Sequence, residues 1–324
     1  MLTIPNPKTE VLPYQIKNNP YISAATSSNT RKAYQGDIRH FENWGGQLPA
    51  NTETILAYLQ AFAKHLNPRT LARRLTALKN WHIYQSFPDP TQHPAVSKTL
   101  VGIMRTHGKN KEKARPLLPE QLLSIVQKLT EKKTLRAYRD NALLQIGFFG
   151  AFRSSELVAI HYEHIQWQDC GIDILIPHSK TDQTNEGRYC SIPKGNAQLC
   201  AMHALKQWLE KSAITTGPVF RRAPRKNSIS DTALTPIFIS HILRKCAREA
   251  GIEQSEKFSS HSLRRGLATS ASRDGASIPA IMRQGRWKNV NTVIEYIEAT
   301  QRFEENATDY ILKKIEAEKQ NEMR

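Results

Sequence analysis

The sequence predicts a mainly α protein with a small β-sheet, built as an all-helical N-terminal domain and an α+β C-terminal domain. Three observations support this. Apolar residues recur at three- and four-residue spacing through most of the chain. Only two short β-rich runs occur, and they flank a polar turn. A basic, proline-ended stretch, 108–116, separates the two periodic regions. The 324 residues are ample for two cores without disulfide or metal staples.

The elements follow in order. Residues 1–24 carry Pro5, Pro7, Pro13 and Pro20 with little periodicity and read as an extended arm. The helical domain spans 25–107. Ser28, Asn29 and Thr30 offer N-cap chemistry for a first helix bearing Tyr34, Ile38, Phe41 and Trp44, which Gly45-Gly46 stops. A second helix is expected over 52–64 (Ile55, Leu56, Leu59, Phe62), a third over 68–84 (Leu71, Leu75, Leu78) and a fourth over 95–106. The linker 108–116 leads into the second domain, 117–324. There, helices are expected over 119–130 and 136–150, then a hairpin from 172–176 and 189–192. Further helices are expected over 196–211, 236–250, 261–273, 278–283 and 291–299. A last stretch with Phe303, Ala307, Tyr310, Ile311 and Ile315 has helical spacing on a polar background.

Composition excludes several classes. Lys and Arg number 46 against 29 Asp and Glu, a formal net charge of +17. In the first 115 residues the basic side chains outnumber the acidic ones by more than two to one. A polyanion is the natural partner, nucleic acid before an acidic membrane surface, with a merely basic surface as the competing reading. The N-terminus lacks the apolar core of a signal peptide. The longest nearly apolar run, Ala142 to Phe152, is far short of a bilayer span. Cys170, Cys190, Cys200 and Cys246 read as reduced thiols of a cytoplasmic protein. Cys200 and His203 stand three apart, but no second pair at zinc-finger spacing accompanies them, so no metal or other cofactor is expected.

One set of residues carries chemistry. Arg153 follows a mostly apolar helix, with Glu156 three residues on to orient it. Lys180 sits on the hairpin turn. His261 and Arg264 share one side of a helix near its positive N-terminal end. Trp287 and Tyr296 complete the set. Two arginines, a histidine, a lysine and a tyrosine suit the task of holding and attacking a phosphodiester. Guanidinium groups match non-bridging phosphate oxygens, and a tyrosine hydroxyl becomes a competent nucleophile beside a base and positive charge. Each residue alone has an ordinary structural reading; the order and spacing carry the case. Tyr310 is the competing nucleophile.

On these residues the chain resembles the tyrosine recombinase (phage integrase) family. The matching pieces are Gly150-Ala-Phe-Arg153-Ser-Ser-Glu156-Leu, Ser-Lys180-Thr-Asp, His261-Ser-Leu-Arg264 and the run from Ser277 to Ile297. The resemblance spans about residues 25–300 and is strongest in the second domain. It implies a core-binding N-terminal domain, a tyrosine-recombinase catalytic domain, and a clamp of the two around a duplex. It further implies that Arg153 and Arg264 clamp the scissile phosphate, with Glu156 supporting Arg153. Lys180 would protonate the leaving 5′ oxygen, His261 would serve proton transfer, and Trp287 would donate its indole N–H to the phosphate. Tyr296 would form a 3′-phosphotyrosine. Many members carry Gly-His where this chain has Arg286-Trp287; an indole N–H is also a donor.

For DNA binding, the third helix sets basic residues against its leucines. Arg69, Arg73 and Asn80 fall near one face suited to a major groove, with Arg74 and Lys79 beside them. Arg31 and Lys32, and the loop residues Arg221, Arg222, Arg225 and Lys226, are expected phosphate contacts. By resemblance, the C-terminal helix either packs on its own domain or docks on a neighbour in a homotetramer. The function implied is site-specific recombination of double-stranded DNA through a Holliday junction, in the cytoplasm at the nucleoid and without a membrane partner. Competing readings are a type IB topoisomerase, a telomere-resolvase-like enzyme, or a catalytically silent DNA-binding regulator.

Overall fold

The computed structural model describes residues 25–109, 113–177, 187–223, 229–298, 308 and 310–315. The chain divides into two compact units, Met1–Glu112 and Lys113–Arg324. The expected arm (1–24) and the middle of the expected linker lie outside the described residues.

Among its described residues the first unit has only helical elements, chiefly α1 (Ser28–Asn43), α2 (Thr52–Phe62), α3 (Pro68–Tyr84) and α4 (Pro94–His107). Ser27, Asn51 and Asn67 each cap the helix that follows by accepting a backbone N–H through the side chain. The apolar faces of α1 and α2 meet around Tyr58, which is fully buried. Its ring packs edge-on against Phe41 (5.1 Å), Trp44 (5.3 Å) and Phe62 (5.1 Å) between centroids. Leu71, Leu75 and Leu78 of α3 complete this core.

The second unit is built around α6 (Leu135–Phe149), buried on nearly all sides from Ala137 to Phe148. From Ala142 on it is apolar apart from Gln145, and its buried polar side chains are paired, Arg139 with Asp140 and Gln145 with Asn141. Against it pack α5 (Pro119–Lys132), α8 (Ala201–Ser212) and α10 (Ser260–Arg273). The sheet is antiparallel in the order β1 (Ile165–Gln168), β2 (Gly171–Ile176), β3 (Arg188–Pro193). Sequence reading found β2 and β3 and missed β1, a four-residue strand with only Ile165 partly covered. α8 begins at Ala201 and not at Asn196, because the Asn196 side chain accepts from the N–H groups of Gln198 and Leu199 and holds a turn instead. The five-residue α7 (Ser154–Val158), α9 (Pro236–Glu249), α11 (Ile278–Gly285) and α12 (Val290–Glu298) complete the described elements, and residues 310–315 are helical. Among the described residues, no helix is long and apolar enough to cross a membrane.

Candidate active site

The site begins at the turn that ends α6. Gly150 caps the helix, and Ala151 takes a left-handed conformation (φ 45°) that reverses the chain. Arg153 then starts α7. Three residues on, the Glu156 carboxylate bonds back to it twice: the Arg153 backbone N–H donates to Oε2 (3.0 Å) and Arg153 Nη1 to Oε1 (2.5 Å). The three-residue spacing of Arg and Glu is therefore the geometry of a reciprocal helix start, with a carboxylate at the positive end of the helix.

α10 brings Arg264 to the same turn. The residue is 3% exposed; Nη1 donates to the Ala151 carbonyl, and Nη2, also buried, has no hydrogen-bond partner. The guanidinium lies 4.1 Å from the centre of the Trp287 ring. From the end of α11, buried Arg286 donates to Glu156 Oε2 (3.3 Å) and to the Gly150 carbonyl (3.1 Å). Two guanidinium groups thus bond one carboxylate, and the third, Arg264, feels it only through space.

The electrostatics follow from that imbalance. Burial pushes the Glu156 carboxyl up, but Arg286 and Arg153 outweigh it and hold the group below its usual 4.5. Arg264 behaves in the opposite way. Burial first, then the like charges of Arg153 and Arg286, lower it to about 9, against the pull of Glu156 and Tyr296. A cation so placed is short of negative charge, and a phosphodiester bound nearby would supply it.

Beneath the arginines lies a small apolar cluster of Ala151, Ala268, Ile281, Trp287 and Val293, with Tyr296 packed on it. Trp287 and Tyr296 meet edge to face, 6.0 Å between centroids. The indole fits because residue 285 is glycine: a Cβ there would lie 1.8 Å from the Trp287 ring. Arg265 lies 5.2 Å from the Tyr296 ring centre, and its Nη1 donates to the Ala114 carbonyl. Thr269 Oγ1 donates to the Tyr296 backbone carbonyl at 3.3 Å. The nucleophile candidate is thus tied to α10 from two sides.

Of the seven expected catalytic residues, the fold brings together Arg153, Glu156, Arg264, Trp287 and Tyr296. His261 is exposed at the start of α10, one turn before Arg264. Lys180 lies outside the described residues. Sequence reasoning missed Arg286 and Arg265. The only hints were positional: Arg286 stands beside Trp287, and Arg265 beside Arg264 on a largely buried helix. Tyr310, the alternative nucleophile, is 67% exposed in the helical stretch 310–315.

The expected DNA-contacting residues divide. Arg31, Lys32, Arg69 and Lys79 are exposed and Asn80 is half-buried. Arg73 is exposed on one side yet makes a two-point bond to Asp37 (2.9 and 2.8 Å). Two expectations need correction. Arg74 is buried, with Nη1 donating to the Tyr58 hydroxyl (3.0 Å) and to His40 (2.8 Å). It stands three residues from Leu71 and four from Leu78, so helical spacing turns it inward with the leucines. Arg221 is also engaged, donating to the Pro218 carbonyl (2.7 Å), the Thr216 carbonyl and Asp231 (2.9 Å), which staples its own loop. Arg222 is exposed above the Phe238 ring. Arg225 and Lys226 lie outside the described residues. Cys200 and His203 meet only as a helix cap, the Cys200 sulfur accepting the His203 backbone N–H at 3.4 Å. Among the described residues there is no group of three or more His, Cys, Asp or Glu side chains placed to hold a metal ion.

Similarity to known proteins extends over most of the chain. Residues 115–302 match the phage integrase family, and residues 21–85 match the phage integrase N-terminal SAM-like domain. The integrase/recombinase xerD homolog of Selenomonas ruminantium is 36% identical over 302 residues, covering 90% of this chain and 88% of that protein. The recombinase cre of Escherichia phage P1 is 28% identical over 274 residues, 78% of this chain and 77% of its own. Among solved structures, the fold is shared with the XerH site-specific recombinase in a post-cleavage complex with palindromic difH substrate (TM-score 0.59, 20% identity, 87% of this chain and 79% of that one). It is shared as well with the Tn1549 transposon integrase in complex with transposon right end DNA (TM-score 0.60, 15% identity, 94% and 96%).

Proposed function

This chain belongs to the phage integrase family: it is a tyrosine-type site-specific DNA recombinase, and we propose that Tyr296 is its nucleophile. The observation that carries the residue assignment is buried Arg264, its Nη2 unpartnered and its charge disfavoured beside Arg153 and Arg286, which share one carboxylate. Charge arranged in this way awaits an anion. A scissile phosphate would take the outer face of Arg153, which keeps 21% of its side chain exposed, with the buried charge of Arg264 behind it.

The Tyr296 hydroxyl attacks phosphorus, forming the Tyr–O–P bond as the P–O5′ bond breaks. Its proton passes toward His261, and the departing 5′ oxygen takes a proton from Lys180. The product is a 3′-phosphotyrosine and a free 5′-hydroxyl. The 5′-hydroxyl of a partner strand then attacks the same phosphorus and releases the tyrosine. One phosphoester replaces another at each step, so neither ATP nor metal charge is required, and exchange of the first strand pair leaves a Holliday junction. Trp287 supports Arg264 through its ring face and offers its indole N–H to the phosphate.

Double-stranded DNA carrying a recombination site is the partner. Arg31, Lys32, Arg69, Lys79 and Arg222 provide backbone contacts, and Arg69 with Asn80 presents a face for base edges. The N-terminal residues 1–24, the helical domain 25–107, the linker 108–116 and the catalytic domain 117–324 divide binding from chemistry. Assembly as a homotetramer through the C-terminal helix accords with the exposure of Tyr310, Ile311, Leu312 and Ile315 in the single chain. The enzyme would work in the cytoplasm at the nucleoid.

The test uses a nicked suicide substrate that traps the covalent complex. The protein is expected to form the adduct, Tyr296→Phe to abolish it and Tyr310→Phe to keep it. An adduct with Tyr296→Phe would overturn the assignment. Relaxation of plasmid DNA without exchange between two sites would favour the topoisomerase reading.

A further inference from the structure

Arg286 takes no part in the chemistry above, yet it is buried in the middle of the site with 6% exposure. Its backbone is left-handed (φ 55°) at the C-terminal end of α11, a position where glycine is the comfortable residue. An arginine held there against its backbone preference makes a specific set of bonds. Nη2 reaches the Gly150 carbonyl (3.1 Å), the Ala151 carbonyl (3.4 Å) and Glu156 Oε2 (3.3 Å), and Nη1 donates to the Gln284 carbonyl (2.9 Å). The guanidinium also lies 4.8 Å from the centre of the Phe152 ring. All but the Gln284 bond fall on the segment 150–156, which carries Arg153.

Two of these acceptors are shared with the phosphate-binding arginines. The Ala151 carbonyl also accepts Arg264 Nη1, and the Glu156 carboxylate also accepts Arg153. We infer that Arg286 is a positioning residue of this recombinase: through the Ala151 carbonyl and the Glu156 carboxylate it fixes Arg264 and Arg153 relative to one another. The inference rests on the assignment of those two arginines to the scissile phosphate. Two guanidinium groups carried on separate elements, α10 and the start of α7, need a common reference if both are to meet one phosphate. A rigid planar fork provides it, which a lysine's point charge does not.

A second consequence concerns protonation. The charged or titratable groups facing Glu156 are Arg153 on its own helix, Arg286 from α11, Arg264 from α10 and Cys190 from β3. Cys190 is buried and its thiol is pushed up, so it stays neutral. Removing Arg286 takes away the largest of the influences that oppose the burial of Glu156. The carboxyl would then take up its proton at higher pH, and Arg153 would lose its charged anchor there.

The experiment measures single-turnover cleavage of the suicide substrate at saturating DNA, across pH, alongside DNA affinity and thermal melting. Arg286→Gly suits the left-handed backbone and is expected to fold. Its plateau rate should fall about 10- to 100-fold, the range for residues that orient a reacting shell, with affinity within about twofold of the parent. The acid limb of its rate profile should move to higher pH. Arg286→Lys restores the charge; its acid limb should return to the parental position while its plateau stays about tenfold slow, because the fork is lost. A parental plateau and acid limb for Arg286→Gly would overturn the inference, as would a parental plateau for Arg286→Lys. The lysine variant decides the matter if the glycine variant melts below the assay temperature. Failure of the parent protein itself to form the adduct is a separate result and would strike the nucleophile assignment instead.

Discussion

Both units of this molecule bury arginines around a single carboxylate, and they do so to opposite ends. In the first unit, Asp37 is 2% exposed and holds Arg73 by two bonds and Arg74 at 3.5 Å. Arg74 is satisfied further by the Tyr58 hydroxyl and by His40. Burial, with Arg74 beside it, lowers the pKa of His40, so the ring stays neutral and can accept. The bond to Asp37 raises Arg73 above its usual value, so there the fold stabilises the charge. In the second unit Arg153 and Arg286 share Glu156, and Arg264 beside them is lowered to about 9. Both clusters hold more cation than carboxylate, and each leaves a buried donor without a hydrogen bond, Arg74 Nε in the first and Arg264 Nη2 in the second; the difference is that the second holds Arg264 well below its usual value. A buried cation cluster reads as structural where the fold stabilises the charge, as at Arg73, and as a binding site where the fold disfavours it, as at Arg264.

That contrast can be broken by substitution, beginning with the largest effect. Arg264→Met should slow cleavage of the suicide substrate about 10²- to 10³-fold, as for loss of a preorganised donor to a developing anion. Its melting temperature should not fall, because the change removes a poorly paired buried charge. A large loss of stability would make the second cluster as structural as the first.

The converse change is Asp37→Asn. It leaves Arg74 buried without its anion and should cost about 3 kcal/mol of unfolding free energy in denaturant titrations. The cleavage rate at saturating DNA should be unaltered. A slowed plateau would connect the two clusters.

Glu156→Gln separates the pair by pH. Because Glu156 is held below its unfolded value of 4.5, its contribution is present above that pH and is lost as the pH falls through the folded value. The parent's stability should therefore drop on the acid side below about 4.5 by a component that the Gln variant lacks, read from melting temperature against pH.

Gly285→Ala should displace the Trp287 ring and cost about 1–3 kcal/mol by overpacking, with slower cleavage. The smallest effect belongs to the exposed arginine of α3. Arg69→Ala should reduce the slope of log affinity against log salt by about one, as for one lost phosphate contact. The same slope measured for Arg74→Met should be unchanged once folding is allowed for.

Much of the architecture was legible because periodicity and capping are local. The helices of the first unit were read from their apolar spacing, although the cap of α1 is Ser27 and not the expected Ser28 to Thr30, and the second half of α6 was visible as an apolar run. The strand β1 was not legible, since four residues covered on one side only leave no alternation to read. The fate of Arg74 was half-legible: its register with the leucines marked it as internal, but its charge argued for the surface. Arg221 gave no such warning, because its partners, the Pro218 and Thr216 carbonyls, are loop backbone whose path the sequence does not state.

For the candidate site, sequence order and spacing were enough to name Arg153, Glu156, Arg264, Trp287 and Tyr296, and to pair Arg153 with Glu156 across one helical turn. What only the tertiary structure decided is how five separate elements share atoms: that one carbonyl, at Ala151, receives both Arg264 and Arg286, and that one carboxylate serves Arg153 and Arg286 together. The physical reason is range. Helix starts and helix faces are set within a few residues, whereas the balance of charge in a buried cluster depends on groups more than a hundred positions apart along the chain.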